Sequence, residues 1–170
     1  GGPALSRLAQ AGDPQAHALP RPMLHGKTLD FSFSGLKTAV LTRLQALEKQ
    51  GLADDPTARA DLAAATEAAI VDVLAGKALQ ALSQTGLQTL VVAGGVGANG
   101  PLRARLQQAM VRRGGQVFFP PVALCTDNGA MIAWAAVLRA RAGLVDWAAL
   151  RDDTGFDVHP RWDLQDVCVR

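Results

Sequence analysis

A glycine-rich turn follows a short apolar run in the second half of the sequence. The run is Thr89–Ala93, the turn is Gly94–Gly100, and Pro101 opens a helical pattern. Such a junction aims backbone N–H groups and the positive end of a helix dipole at one spot, and glycines let a ligand approach the main chain. Asn99 adds a donor and an acceptor. The spacing is neither a Rossmann fingerprint nor a P-loop. The residues indicate a ligand site, and a tight turn without a ligand explains them equally well.

A second polar cluster, Cys125–Met131, also lies where a strand pattern gives way to a helix pattern. Asp127 is the carboxylate best placed to enter a cleft there, where it could bind a metal or accept from a ligand hydroxyl. Thr, Asp and Asn are also preferred helix caps, and taken alone the segment favours capping. Cys125 has no evident histidine partner, which favours a buried structural thiol.

The segment Phe31–Thr38 contains Ser34-x-x-Lys37, a pattern found in penicillin-binding proteins and β-lactamases. The companion motifs of those enzymes are missing from the sequence, so a serine acyltransferase is disfavoured. Phe31 and Phe33 alternate with serines, which predicts a short extended segment with both rings packed inward.

The remaining polar candidates are histidines and arginines. The three histidines have no zinc-like spacing, which predicts surface residues; they are His17, His25 and His159. Four arginines share one predicted helix, namely Arg103, Arg105, Arg112 and Arg113. Such a run usually forms a solvated face, or it could contribute to an RNA-binding surface in a larger molecule.

Helices are expected through the first half of the chain. One short helix starts near Pro3 and stops at Gly12, and residues 13–30 form a loop. A second helix runs from a Ser34 cap to Gly51, with one apolar face made of Leu36, Val40, Leu44 and Leu47. A third, alanine-rich helix begins at Asp55-Pro56 and reaches about Gln84.

The second half predicts a β-α-β-α unit with two parallel strands. Thr89–Ala93 has the continuous apolar pattern of a strand buried on both faces, and Val117–Phe119 is the second strand. The last helix starts at a cap within Thr126–Asn128 and ends near Gly143. The fold class is therefore helix-rich α/β. Its parts are a mainly helical segment 1–86, the β-α-β-α portion 87–152 and an irregular tail 153–170.

Composition excludes several classes of protein. The 170 residues are 49% hydrophobic, which excludes a disordered chain, and a net charge of +2 excludes a broad basic face. No apolar run approaches the roughly 20 residues of a membrane span. Two cysteines, Cys125 and Cys168, point to a reducing compartment. The opening Gly1-Gly2-Pro3 without a methionine suggests a chain cut from something longer.

Three ordered motifs together resemble the TsaD family. They are Phe31-Ser-Phe-Ser-Gly-Leu-Lys-Thr38, Gly94-Gly-Val-Gly-Ala-Asn99 and Cys125-Thr-Asp-Asn-Gly-Ala-Met-Ile-Ala133, and Gly1-Gly-Pro3, Pro20-Arg-Pro-Met23 and Pro160-Arg-Trp162 match in the same order. Members of that family are the catalytic subunits of tRNA threonylcarbamoyladenosine synthesis. They were once described as O-sialoglycoprotein endopeptidases.

The resemblance implies an actin-like, sugar-kinase-like (ASKHA) fold of two α/β domains around a nucleotide cleft. It implies transfer of threonylcarbamoyl from threonylcarbamoyl-AMP to an anticodon-loop adenosine of tRNA, in the cytoplasm, with a paralogous subunit and an ATPase subunit as partners. By motif, Gly2, Gly94, Gly95 and Asn99 would contact the adenylate. Asp127 would be a ligand of one divalent metal ion, iron or zinc.

The departures from the family pattern limit this expectation. The family's His-x-x-x-His metal motif is missing from this chain, so the resemblance covers only the C-terminal half. We therefore expect the chain by itself to lack transferase activity, and no residue is assigned as a general base. Two other functions stay open, namely an actin-like ATP-dependent kinase and a non-catalytic module that pairs with a paralogous subunit.

Overall fold

The computed structural model describes residues 1–145. Five α-helices and two strands follow one another as α1 Gly2–Ala9, α2 Ser34–Lys49, α3 Pro56–Thr85, β1 Thr89–Val91, α4 Gly100–Arg112, β2 Gln116–Phe118 and α5 Gly129–Arg141, with 3-10 turns at Gly95–Ala98 and Val122–Leu124. The predicted helix-rich α/β class is confirmed. The chain forms two compact units, Gly1–Thr126 and Asp127–Arg170, and of the second unit residues 127–145 are described.

Helix α3 is the centre of the first unit. It begins as predicted, because the Asp55 carboxylate accepts a hydrogen bond from the Ala58 N–H at 2.8 Å and Pro56 occupies the first turn. It ends at Gly86, whose φ of +70° stops the helix. Its many alanines let α1, α2 and α4 all pack against it. At Gly12, which follows α1, a β-carbon would overlap the Ala60 backbone, so this approach requires glycine.

Helix α2 begins differently from the prediction. The capping position is Phe33, and Ser34 is the first helical residue without a side-chain cap, so the predicted Ser34 cap is wrong. The Phe33 ring packs against an apolar cluster that includes Leu36, and the Ser34 N–H donates to Ser32 Oγ at 3.3 Å. The predicted face is confirmed, since Leu36 and Leu47 are buried and the other two residues of that face pack on the same cluster.

The two rings of the Phe31–Thr38 segment differ in burial. Phe33 is partly buried, whereas Phe31 is 51% exposed, and the ring centroids lie 5.7 Å apart. The expectation that both rings pack inward is therefore wrong for Phe31. The two rings lie against each other, with Phe33 on the apolar cluster and Phe31 on its solvent side.

Strands β1 and β2 pair in parallel, as predicted, with Leu90 opposite Val117. Side chains of α3 and α4 cover one side of this pair, where Leu90 and Val117 pack against Leu106. On the other side Val91 is 69% and Phe118 53% exposed. Burial on both faces is therefore wrong for the part of the chain that the structure describes, because successive strand residues point to opposite faces and the helices lie on one.

In the second unit, α5 starts after Asn128, whose side chain accepts a hydrogen bond from the Met131 N–H at 3.1 Å. None of its residues is buried. The predicted tail 153–170 lies outside the described residues. Among the helices described in residues 1–145, none has the length and apolar character needed to cross a bilayer.

Candidate functional site

The glycine turn lies directly beyond the carboxyl end of β1. Gly94 has φ +83° and ψ 175°, a backbone conformation that is essentially restricted to glycine. A 3-10 helix, Gly95–Ala98, follows and leads into α4. A β-carbon at Gly94 or Gly95 would have no atom within 4 Å, so the space beside both residues is open. The turn therefore exposes main chain at the start of a helix, which is the geometry that the sequence predicted.

Asn99 is the side chain that fixes the end of this turn. Its Oδ1 accepts from the Leu102 N–H at 2.8 Å and so caps α4. Its Nδ2 donates to Glu67 Oε1 at 2.7 Å and to Ser6 Oγ at 3.3 Å. Since the acceptor faces an N–H and the donor faces a carboxylate, this network permits a single orientation of the amide.

Glu67 and Ser6 are site residues that the sequence reasoning missed. Ser6 on α1 donates its hydroxyl proton to Glu67 Oε1 at 2.5 Å, and Glu67 lies in the middle of α3. The carboxylate therefore accepts from two side chains that come from different parts of the chain. A signal was present, because a glutamate among buried alanines of a central helix needs polar partners.

Gly2 is the first residue of α1 and is exposed. The same helix presents Ser6 to Asn99, so the structure brings α1 and the glycine turn together around Glu67. Contact between Gly2 and an adenylate stays a prediction, as it does for Gly94, Gly95 and Asn99.

Arg103 corrects the interpretation of the arginine run as a solvated face. Its guanidinium is partly buried and donates to the Gly97 carbonyl at 2.5 Å and to the Pro120 carbonyl at 2.6 Å. The interpretation fits Arg105 and Arg112 better, since both are exposed. Position decides the difference, because Arg103 lies one turn into α4 and faces the ends of both strands.

The second predicted cluster divides between the two units. Cys125 is 2% exposed and its thiol donates toward the Pro121 carbonyl, which agrees with a buried structural thiol. Asp127 is exposed, and the cap of α5 is Asn128, so the capping alternative for Asp127 is wrong. Its role as a metal ligand stays a prediction.

The residues present do not by themselves make up a metal site. Within residues 1–145, no group of three histidine, cysteine or carboxylate side chains lies close enough to bind one ion. Asp127 offers one carboxylate, whereas the transition metals that the resemblance implies need several ligands. No chemical step is therefore assigned to a metal in this chain.

His17 is partly buried rather than a plain surface residue. Its Nδ1 accepts a hydrogen bond from Arg43 Nε at 2.9 Å, so its proton is on Nε2, a buried atom without a partner among the described residues. Burial, reinforced by the positive charge of Arg43 and opposed by Asp61, lowers the pKa of His17 below 6.5. His25 is exposed, and His159 lies outside the described residues.

Comparison with known proteins adds an independent finding to this geometry. The model of the family described as TsaD, tRNA N6-adenosine threonylcarbamoyltransferase, matches residues 1–134, which is most of the chain. The chain belongs to the TsaD family. The match covers the glycine turn, Glu67, Arg103 and Asp127, so these residues all belong to the shared TsaD region.

Individual relatives give the same result. A tRNA N6-adenosine threonylcarbamoyltransferase of Bordetella petrii is 64% identical over 169 residues, which is 99% of this chain and 48% of that protein. The protein of the same name from Methylibium petroleiphilum is 61% identical over 96% of this chain and 45% of its own length. That of Variovorax paradoxus is 56% identical over 96% and 45%. The chain thus spans about half the length of the curated relatives it matches.

Proposed function

We propose that this chain is the C-terminal part of a tRNA threonylcarbamoyladenosine transferase. The whole protein would move the threonylcarbamoyl group from threonylcarbamoyl-AMP to the exocyclic amine of an anticodon-loop adenosine. The observation that supports this proposal most is the glycine turn at the carboxyl end of β1, with Asn99 held in one orientation by Glu67 and Ser6. A relative that is 64% identical over 169 residues carries the name tRNA N6-adenosine threonylcarbamoyltransferase.

The turn is suited to bind the adenylate rather than to perform proton chemistry. Open main chain at Gly94 and Gly95 lets a flat base or a ribose approach closely. The first N–H groups of the Gly95–Ala98 helix have no intrahelical acceptor and can donate to ligand oxygens. Asn99 lies at the end of the turn, and its hydrogen bond to the Leu102 N–H fixes the position of its side chain beside the proposed ligand site.

In the reaction the adenosine amine attacks the carbamoyl carbon, and the bond from that carbon to a phosphate oxygen breaks. AMP leaves and the amine loses one proton. An exocyclic amine is a poor nucleophile, so the rate must come largely from positioning the two reactants and from stabilising charge on the leaving phosphate. This chain would contribute the positioning of AMP.

The remaining parts of the proposal need more than this chain. We propose that Asp127 supplies one oxygen ligand to a divalent metal ion, iron or zinc, whose other ligands are histidines outside this sequence. An actin-like (ASKHA) cleft would then be completed by a second domain. The tRNA, a paralogous subunit and an ATPase subunit are the proposed partners, in the cytoplasm.

Two measurements on the 170-residue chain test the proposal. We expect AMP to bind and to shift the amide resonances of Gly94–Asn99 in ¹⁵N-resolved spectra. We also expect no transfer of threonylcarbamoyl to tRNA by the chain alone, in an assay where a full-length relative is active. Failure of AMP to shift the turn would reject the adenylate site, and turnover by the chain alone would reject the incomplete active site.

A second candidate is a non-catalytic module that pairs with a paralogous subunit. Apolar residues that are exposed on α5 favour it, since Ile132 is 73% and Trp134 57% exposed. Co-purification with a paralogous subunit, lost in the double variant Ile132→Glu and Trp134→Glu, would support this function. Co-purification that the double variant leaves unchanged would remove α5 as the reason for it.

A further inference from the structure

Arg103 contacts the segments that follow both strands. Its Nε donates to the carbonyl of Gly97, within the 3-10 helix after β1, at 2.5 Å. Its Nη2 donates to the carbonyl of Pro120, which follows β2, at 2.6 Å. One planar guanidinium thus spans the carboxyl ends of two neighbouring strands, a geometry that a lysine ammonium does not reproduce.

The same side chain also fixes Cys125. Nη2 lies 3.3 Å from Cys125 Sγ, and the guanidinium carbon lies 4.7 Å from the centroid of the Phe119 ring. The thiol itself is directed at the carbonyls of Pro120 and Pro121, at 3.8 and 3.6 Å. Cys125 is 2% exposed, whereas the Arg103 and Phe119 side chains around it are partly buried.

We propose that Arg103 is a positioning residue that couples the glycine turn to the Cys125 segment, two residues before Asp127. A ligand that moves the turn would then displace Gly97, Arg103 and Cys125 together. The coupling to a bound adenylate depends on the proposed function, whereas the restraint on Cys125 does not. A residue that only stabilised the fold would not transmit a ligand-induced change from the turn to Cys125.

Thiol labelling tests the restraint. In a Cys168→Ser background Cys125 is the one remaining thiol, and its reaction with an aromatic disulfide reports how often its segment opens. Loss of the Arg103 contacts in Arg103→Ala should speed labelling by roughly tenfold or more. Cys125 in Arg103→Lys should be labelled nearly as fast as in Arg103→Ala, because lysine lacks the planar guanidinium that reaches both carbonyls. Arg112→Ala, which removes an exposed arginine from the same helix, should label like the parent.

AMP titration tests the coupling. In the parent chain AMP should shift the amides of the turn and also those of Cys125 and Thr126. In Arg103→Lys and Arg103→Ala the turn should still respond, whereas the response at Cys125 should fall to within the noise. Circular dichroism identifies any variant that fails to fold, and if the alanine variant fails, the lysine variant decides the test.

The outcomes separate this inference from the proposed function. If both Arg103 variants label at the rate of Arg112→Ala, Arg103 does not restrain Cys125 and the inference is overturned. Shifts at Cys125 that persist in the Arg103 variants also overturn it. If AMP shifts nothing in the parent chain, the adenylate site is rejected, and the labelling rates still decide whether Arg103 positions the segment.

Discussion

Two strand-to-helix junctions in this chain start from the same local chemistry and end differently. After β1, Asn99 caps α4 through a hydrogen bond of 2.8 Å to Leu102; after β2, Asn128 caps α5 through one of 3.1 Å to Met131. The first helix buries Leu102, Leu106, Ala109 and Met110, whereas α5 buries none of its residues. An asparagine cap starts the helix in both cases. The two helices differ in whether their apolar side chains are buried against other elements.

The same contrast applies to the polar side chains. The amide of Asn99 also donates to Glu67 and Ser6, which belong to other helices. Asp127, just before α5, is exposed. We infer that the glycine turn is preorganised by side chains of its own unit. Preorganisation matters because a ligand then binds without a large ordering cost.

The largest expected difference comes from removing an apolar side chain of each helix. Leu106 is 2% exposed, so Leu106→Ala should lower the free energy of unfolding by about 2–5 kcal/mol. Ile132 is 73% exposed, so Ile132→Ala should change it by less than about 0.5 kcal/mol. Urea denaturation followed by circular dichroism measures both. A loss of more than about 1 kcal/mol in Ile132→Ala would contradict the contrast between a buried α4 and an exposed α5.

The two caps should also differ. Asn99→Ala removes the cap and one donor to Glu67, and should cost about 1–2 kcal/mol in the free energy of unfolding. Asn128→Ala removes a cap from an exposed helix and should cost no more than about 1 kcal/mol. Amide hydrogen exchange resolves the effect on each helix. Equal losses would mean that the contacts of Asn99 with α1 and α3 add nothing to its cap.

Glu67 gives a subtler test, in which we expect the hydrogen-bond acceptor to matter and the charge not to. The Oε1 of glutamine can accept from Ser6 and Asn99 in the same way, so Glu67→Gln should keep the AMP affinity within about threefold of the parent. Glu67→Leu removes the acceptor and should weaken AMP binding by roughly tenfold. Calorimetric titration measures both affinities. A glutamine variant as weak as the leucine variant would show that the charge, rather than the orientation of Asn99, is what matters.

The smallest expected effect is on the pH dependence of stability. It comes from His17, which is partly buried in the first unit. Because the pKa of His17 is lowered in the folded chain, the unfolded chain binds its proton more tightly. Its contribution to stability is complete above about pH 6.5 and is lost as the pH falls through the folded pKa. His17→Asn keeps an acceptor for Arg43 and does not titrate, so its urea midpoint should fall less between pH 7 and 5. Parallel curves for the parent and the variant would contradict the lowered pKa.

Local sequence signals predicted much of the fold. Asp55-Pro56 marked the start of α3, and Leu102, Leu106 and Met110 marked the buried face of α4. These signals succeeded because capping and periodicity act within a few residues. The predicted Ser34 cap is wrong because the helix starts one residue earlier, with Phe33 at the capping position and its ring on an apolar cluster.

The candidate site was predicted in part. Glycines at a strand end pointed to the turn, and Asn99 was singled out beside it. For Arg103 the local sequence indicates a solvated or RNA-binding face, because nothing in its neighbours shows that the Pro120 carbonyl lies within reach. Capping by Asp127 was the better local interpretation, yet Asn128 takes that position one residue later.

The sequence by itself determined the family, the order of the elements and the glycine turn, since these depend on residue type and short spacing. Only the tertiary structure decided which side chains hold that turn. Glu67 lies 32 positions from Asn99 and 61 from Ser6. Contacts over such separations produce no repeating pattern in the sequence from which they could be predicted. The contacts exist because α1, α3 and α4 pack together, and the cost of burying polar groups then selects partners for each of them.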